Sequence, residues 1–466
     1  MASSPDSPDF PCSSSSPSSP GTPSSLGTPS LHSSSFATQV PELAQPWRSA
    51  SFPDATLAIT NDDLCNEVPA QDWDLAEGME GWATAYSGHQ FGHFNPVLGD
   101  GRALLLGETT NGREVQLKGS GPTPYSRGGD GFGTLGSMLR EYIVSEIMHY
   151  AGIPTTRIAA VFRTGTEILR NGRLEPGGIA VRVASSHVRV GTFQFSRLLD
   201  EHESVKQQKD KEKATDPVLP RLVDYVLRTI VTDSSITDSS STASSIAEFS
   251  GPASIITHAV RTQASLVASW MKVGFVHGVM NTDNMSLAGE TIDYGPCAFV
   301  DNFDPAAKFS SIDTAGRYAF GQQPTIAMWN IARLAEALCG TDLSLGTKTS
   351  NTDAPITDVL TVDEAAEILH TFPKLYEEAL AREFGGPLPA EGEDLRQWWK
   401  EAGSARNDYL ELAIPRNFEI EQAIEAAAAG DVSVGAELVA SIREKKWQDP
   451  GPPAEDAGPY VTYCGT

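Results

Sequence analysis

Apolar residues at 139, 143 and 147, with Tyr150, recur every three to four positions, a period that predicts a helix from about Leu135 to Tyr150. Gly152 and Pro154 then end it, since neither continues a helix well. Ahead of it, Ala103 to Glu108 reads as a strand, and Glu114-Val115-Gln116-Leu117-Lys118 alternates polar with apolar positions, the period of a second strand. Short apolar runs at Ala159–Phe162 and Ile179–Val183 predict further strands of a small sheet. The pattern then turns helical: about Ile256 to Met271, a stretch after Gln323-Pro324 marked by Leu334 and Leu338, and Ile420–Ala429. The chain up to about Arg443 reads largely as helix, with a Pro/Gly break at 386–389. Strands gathered ahead of helices predict the α+β class, a small sheet-containing N-terminal lobe followed by a mostly helical C-terminal lobe.

Other segments lack this periodicity. Residues 1 to about 40 are dominated by Ser and Pro and bury too little apolar surface to offset their ordering entropy, so a disordered tail is expected over 1–45. The run 201–215 mixes charges and reads as a solvated helix or loop, 233–246 as a low-complexity Ser/Thr-rich insertion, and 451–466 as a Pro/Gly-rich tail carrying Cys464. Residues 46–195 and 196–450 remain for the two lobes, and 466 residues suffice for them. A formal charge of −26 argues against a general nucleic-acid binder, which needs basic patches for phosphate neutralisation. Mean hydropathy is −0.23, and no apolar run is long enough to span a membrane. The five cysteines form no C-x-x-C pair, so neither a zinc site nor a disulfide framework is indicated.

The candidate chemistry concentrates between His277 and Asp293. Asp283 and Asn284 stand side by side, and Asp293 opens an Asp-Tyr-Gly turn. Such oxygen donors suit Mg²⁺, which takes a few protein oxygens and fills its sphere from phosphates and water. Protein kinases have a similar layout, a catalytic-loop Asn and the Asp of an Asp-Phe-Gly turn, although their catalytic Asp lies several residues before the Asn. Taken alone, Asn281-Thr282-Asp283-Asn284 reads equally well as a polar turn. Lys118 at a strand end, a glycine-rich loop over 119–131 and Glu141 on the next helix fit the kinase lysine–glutamate pair that fixes an ammonium against phosphates. Each alone is more simply a solvated residue; their order shifts the balance. Leu98-Gly99-Asp100-Gly101-Arg102 brings backbone N–H groups and Arg102 near an anion, or is a plain hairpin turn. Arg182 and Arg189 clamp phosphate oxygens, or form a surface pair. His89 and His93 have the i, i+4 spacing of a zinc helix, but Gln90 stands where a base is needed and Gly92 weakens a helix, so a zinc protease is set aside.

Several stretches together resemble the selenoprotein O family, also called the YdiU family: YSGHQFG (86–92), LGDGR (98–102), LKGSGPTPYSRGGDG (117–131), HYAGIPTTR (149–157), HGVMNTDNMSL (277–287), DYGP (293–296) and GRYAFGQQPTIAMWNIARLAEAL (316–338). The resemblance is dense over about 80–340 and thin beyond. It implies a protein-kinase-like fold with the nucleotide inverted, and transfer of AMP from ATP to Ser, Thr or Tyr hydroxyls of proteins. It implies Mg²⁺, or Mn²⁺, as cofactor and a link to redox homeostasis. By the same resemblance Lys118 pairs with Glu141, while Gly99, Gly101, Arg102, Lys118, Asp130, Gly131, Arg182, Arg189 and Asp293 surround the nucleotide. Asn284 and Asp293 hold the metal, and Asp283 accepts the proton, its pKa kept low beside the metal so that it helps mostly by orientation.

Departures from the family also carry expectations. Cys464 occupies the place of the family's C-terminal redox cysteine, but Lys308 to Ile312, where some bacterial members carry its partner, has none. Between about Phe384 and Leu395 the chain is shorter than the usual family length. Eukaryotic relatives are mitochondrial, yet Asp6, Asp9 and the lack of Lys or Arg before Arg48 make a poor presequence. A mitochondrial location therefore rests on the resemblance, with the cytoplasm as the alternative. Two rival functions stand beside AMP transfer: a kinase moving the γ-phosphate, and a catalytically silent nucleotide-binding scaffold.

Overall fold

The computed structural model describes residues 31–170, 172–210, 216–231, 251–301, 304–340, 359–386, 414–448 and 460–462. The expected insertion at 233–246 and Cys464 lie outside the described residues. Within them the chain divides into a sheet-containing N-terminal part and a helical C-terminal part.

Of the tail expected over 1–45, residues 1–30 lie outside the described residues. Residues 31–45 already belong to the fold: Ser34 caps a short helix, α1 (Ser35–Gln39), by accepting from the Ala37 amide at 3.1 Å, and β1 (Ala44–Arg48) follows. Phe36, Val40 and Leu43 are buried in the main core, which supplies the apolar burial that the composition of residues 1–40 as a whole conceals.

The next strands are β2 (Thr56–Thr60), β3 (Glu80–Thr84), β4 (Gly88–Gln90), β5 (His93–Asn95), β6 (Ala103–Glu108), β7 (Glu114–Lys118) and β8 (Gly133–Thr134). Helix α2 (Leu135–Tyr150) matches the predicted span, with Thr134 as its N-cap. A long hairpin follows, β9 (Arg157–Arg170) and β10 (Arg173–Ala184), and contains both short apolar runs. These strands form one antiparallel sheet of order β1-β3-β6-β7-β10-β9-β2, with β8 on β10, while β4 and β5 make a separate hairpin.

The sheet is covered on both faces. Leu104, Leu106, Val115, Leu117, Val181 and Val183 pack against the segment holding Phe52, Leu64, Val68 and Trp73. The other face meets α2 and the cleft. Because side chains alternate along a strand, Gln116 and Lys118 share this second face, and the β7–β10 register sets Arg182 opposite Gln116. These polar residues are buried for that reason, a cost that only partners in the cleft offset.

Helices α3 (Val190–Asp210), α4 (Val218–Val226) and α5 (Pro252–Val273) begin the C-terminal part. The charged run at 201–215 is helical as far as residue 210. Gly274, at φ 69°, closes α5 in the left-handed conformation that glycine tolerates best. A two-stranded ladder, β11 (Phe275–Val276) and β12 (Ala298–Phe299), then pinches the base of the loop 277–297. Helices α6 (Gln323–Leu338), α7 (Val362–Leu369), α8 (Phe372–Glu383), α9 (Asn417–Ala428) and α10 (Ser433–Arg443) complete the described chain, and α9 and α10 pack back onto α2. Among the described residues no helix is long and apolar enough to cross a membrane.

Candidate active site

The loop between β11 and β12 is held from several sides. His277 donates its backbone N–H to Gln323 Oε1 at 3.0 Å, and its Nε2 meets the Ile292 carbonyl at 2.9 Å. Burial lowers the pKa of His277 and favours the neutral ring, so that Nε2–H donates. Asn330 Nδ2 holds the Met280 carbonyl at 3.0 Å, and Trp270 Nε1 holds Thr291 Oγ1 at 2.9 Å. A single 3₁₀ turn, Thr282–Asn284, then presents Asp283 and Asn284.

Asp293, in the left-handed region at φ 67°, turns its carboxylate toward the sheet. Three cations converge on it. Lys118 Nζ lies 2.5 Å and Arg182 Nη1 2.8 Å from Oδ1, and Arg189 Nη1 lies 2.8 Å from Oδ2. Lys118 also donates to Glu141 Oε1 on α2 at 2.6 Å, and the same oxygen accepts the Tyr294 N–H at 3.1 Å. Arg182 and Arg189 are 1% and 3% exposed, so the surface-pair alternative does not describe them.

A second carboxylate aims the arginines. Asp100 accepts from Thr84 N, Thr84 Oγ1, Tyr86 Oη and Gln116 Nε2 at 3.1, 2.6, 3.3 and 3.0 Å. Gln116 Oε1 in turn accepts from Arg182 Nη2, and the Tyr86 ring lies 4.8 Å beneath the Arg189 guanidinium. Asp100, Gln116 and Tyr86 were not singled out from the sequence. For Gln116 a signal existed, since it shares a strand face with Lys118.

All the residues expected around the nucleotide line one cleft of about 340 Å³, as do Glu141, Asp283 and Asn284. Gly99 sits on its wall at φ 92°, where an added Cβ would lie 2.5 Å from the Tyr125 ring. Asp130 lines the mouth, but Arg170 holds its carboxylate through two contacts of 2.7 and 2.8 Å, so it meets a ligand only as half of an ion pair. His89 and His93 fall on β4 and β5 rather than on a helix, and His89 Nδ1 meets Gln194 at 2.9 Å.

Electrostatics separate the two loop aspartates. Burial alone would raise the Asp293 carboxyl, but Lys118, Arg182 and Arg189 outweigh it and hold the pKa well below the usual carboxylate range. A carboxyl depressed on folding adds stability that is present above its unfolded pKa, about 3.9, and is lost as the pH falls through the folded value. Asp293→Asn should therefore be less stable than the unmodified chain at neutral pH. Near-UV circular dichroism during heating should show that gap narrowing only below about pH 4. The low pKa expected for Asp283 is that of a carboxyl beside a bound metal; from the protein alone, burial outweighs the opposing hydrogen bonds and Arg189 and pushes it up to about 6. Its Oδ1 is buried with no partner among the described residues.

The donor set fits a hard cation arriving with phosphates. Asn284 Nδ2 is engaged by the Val279 carbonyl at 3.0 Å, which leaves its oxygen as the atom available to the cleft it lines. No cluster of three or more His, Cys, Asp or Glu able to hold a metal occurs among the described residues. Mg²⁺ does not require one, because it is commonly held by one or two carboxylates plus substrate phosphates. Cys297 is a buried free thiol, and burial pushes it up to about 12.

Comparison with known proteins agrees with this geometry. Residues 31–385 match the family described as "Protein adenylyltransferase SelO". The chain is 40% identical to the "Protein nucleotidyltransferase YdiU" of Mycolicibacterium smegmatis, covering 94% of this chain and 98% of that protein. That alignment runs over 501 positions, so the relative carries segments that this chain lacks. The proteins of the same name from Rhodococcus jostii and a Ruegeria species are 38% and 40% identical, covering 93% and 84% of this chain and 94% and 87% of theirs. With a family match over most of its length and relatives at this identity across nearly the whole chain, the protein belongs to the SelO family and is a protein adenylyltransferase.

Proposed function

We propose that the protein transfers AMP from Mg²⁺-bound ATP to Ser, Thr or Tyr hydroxyls of other proteins, within a protein-kinase-like two-lobed architecture. The observation that carries this reading is the convergence of Lys118, Arg182 and Arg189 on Asp293. The three cations outnumber the two carboxylates they pair with, Asp293 and Glu141, and a triphosphate supplies further negative charge. Attack occurs at the α-phosphorus: the hydroxyl oxygen forms the new P–O bond, the bond to the bridging β-phosphate oxygen breaks, and pyrophosphate leaves. The cations, with Arg102 also lining the cleft, stabilise the charge that builds on the departing pyrophosphate, the main lever in such transfers.

Asn284 and Asp293 would hold Mg²⁺, whose chemistry there is to neutralise phosphate oxygens. Glu141 keeps Lys118 aimed from the helix side. Asp283, which lines the cleft beside Asn284, takes the proton of the hydroxyl as its oxygen attacks. The rival γ-phosphoryl reading keeps every one of these groups, so only the fate of label separates them. With ATP labelled at the α-phosphorus, protein should become labelled; with γ-labelled ATP, label should leave as pyrophosphate. Protein labelled only from γ-labelled ATP would make it a kinase, and no label from either would leave the scaffold.

A further inference from the structure

We infer that the joint between the β4–β5 hairpin and the segment leading into α6 is the docking surface for the acceptor protein, where Arg317 pairs with an acidic side chain flanking the target hydroxyl. This rests on the proposed transfer of AMP to hydroxyls of proteins. Two stretches singled out in the sequence, 86–92 and 316–338, supply no cation, metal donor or base to that reaction, yet they meet each other. The Phe91 and Tyr318 rings lie 5.1 Å apart, and the His89 and Trp329 rings 5.2 Å. Both stretches are tied to the loop ahead of Asp283. His89 N donates to Thr282 Oγ1 at 2.7 Å, while Phe91 N and Tyr318 Oη donate to Asn281 Oδ1 at 3.1 and 2.6 Å. The joint therefore adjoins the acceptor side of the site. It is no part of the nucleotide cleft, which Arg317, Tyr318 and Trp329 do not line.

Arg317 is held for an outside partner. The buried Asp313 carboxylate accepts the Arg317 and Tyr318 backbone N–H groups at 2.9 and 2.8 Å and so fixes the turn. The guanidinium lies 4.6 Å over the Trp329 ring and 5.7 Å over the Tyr318 ring. It also reaches the hairpin tip, where a Cβ added at Gly92 would lie 3.5 Å from Arg317 Cζ. Arg333 lies over the same Trp329 ring at 4.9 Å, but Glu336 neutralises it at 2.6 Å. Arg317 has no ion pair with a carboxylate among the described residues. Acids are not scarce, since Asp and Glu outnumber Lys and Arg by 60 to 34. A guanidinium held flat on rings is already oriented to receive a carboxylate bidentately. The surroundings favour a polypeptide over a free anion, because Phe94 and Val97 beside the tip are 44% and 50% exposed. From His89 to Gly92 the hairpin advances at most about 10 Å. An extended acceptor thus brings an acid within about three residues of its hydroxyl to Arg317.

The test gives the full chain α-labelled ATP and peptides with one Ser, Thr or Tyr and a Glu, Ala or Lys at each nearby position. A cell protein extract serves as the bulk acceptor. Glutamate peptides should show kcat/KM about tenfold above alanine peptides. Arg317→Glu should reverse the order in favour of lysine peptides, and Arg317→Lys should keep a weaker acidic preference with Tm and ATP affinity unchanged. A purely structural Arg317 would lower transfer to every peptide alike, and that result would overturn the inference. So would labelling of the extract with no peptide labelled, or with no acidic preference among peptides. Altered sedimentation of Arg317→Glu with an unchanged peptide preference would make the joint a contact between copies instead. No label on either peptides or extract would remove the AMP-transfer reading itself.

Discussion

Asp293→Ala should abolish AMP transfer and lower thermal stability in the same protein. The carboxylate is the shared partner of Lys118, Arg182 and Arg189, whose side chains are 6%, 1% and 3% exposed. Removing it leaves buried like charges facing one another, and breaking a buried ion pair costs about 3–5 kcal/mol. Transfer should fall by at least about a thousandfold, the upper range for deleting one group that acts on transition-state charge. A second signature follows from the same electrostatics. ATP without metal should raise the Tm of the variant more than that of the unmodified chain, since its phosphates can then occupy the freed cations. Differential scanning fluorimetry with ATP and a chelator measures this. Retained transfer, or a Tm insensitive to the substitution, would mean that Asp293 is not the hub of the site.

Gly88→Ala is the next largest effect, and it arises from a single methyl group. The added Cβ would lie 2.2 Å from Asp283 Oδ1 and 2.5 Å from Leu98 Cδ1. The backbone cannot yield easily, because Ser87 N is bonded to the Gly191 carbonyl at 2.9 Å and His89 N to Thr282 at 2.7 Å. The carboxylate must therefore move. A displacement of about 1 Å at a reacting group costs about a hundredfold in rate, so kcat should fall by that order. Isothermal titration should find ATP affinity changed by no more than a few-fold, since the cations on Asp293 are untouched. Equal losses in nucleotide affinity and kcat would show that Gly88 serves the nucleotide rather than the acceptor side.

The sequence was most informative where one local rule acts alone. Helix α2 begins and ends where its apolar period and Gly152 place the boundaries. The alternation in Glu114 to Lys118 correctly indicates a strand, and the order strand lysine, glycine loop, helix glutamate and aspartate loop brings the expected residues to a single cleft. It was least informative where burial is decided by distant segments. Phe36, Val40 and Leu43 follow a Ser/Pro-rich stretch whose composition conceals them, yet they enter the main core. The motif at 86–92 gives no indication that its hairpin closes on Asp283, because that contact joins residues nearly two hundred positions apart. Asp100 reads as part of a turn, and only the four donors around its carboxylate make it the anchor of the arginines.

By itself, the sequence determined which side chains carry charge, where strands and helices begin, and which family the motifs resemble, because these follow from residue type and short-range spacing. Only the tertiary structure decided that Lys118, Arg182 and Arg189 meet on Asp293 while Asp283 stays apart with a pKa of about 6. The reason is physical. Coulomb and desolvation energies depend on separation and on exclusion of water, and neither exists until the sheet and the helical part close on one another.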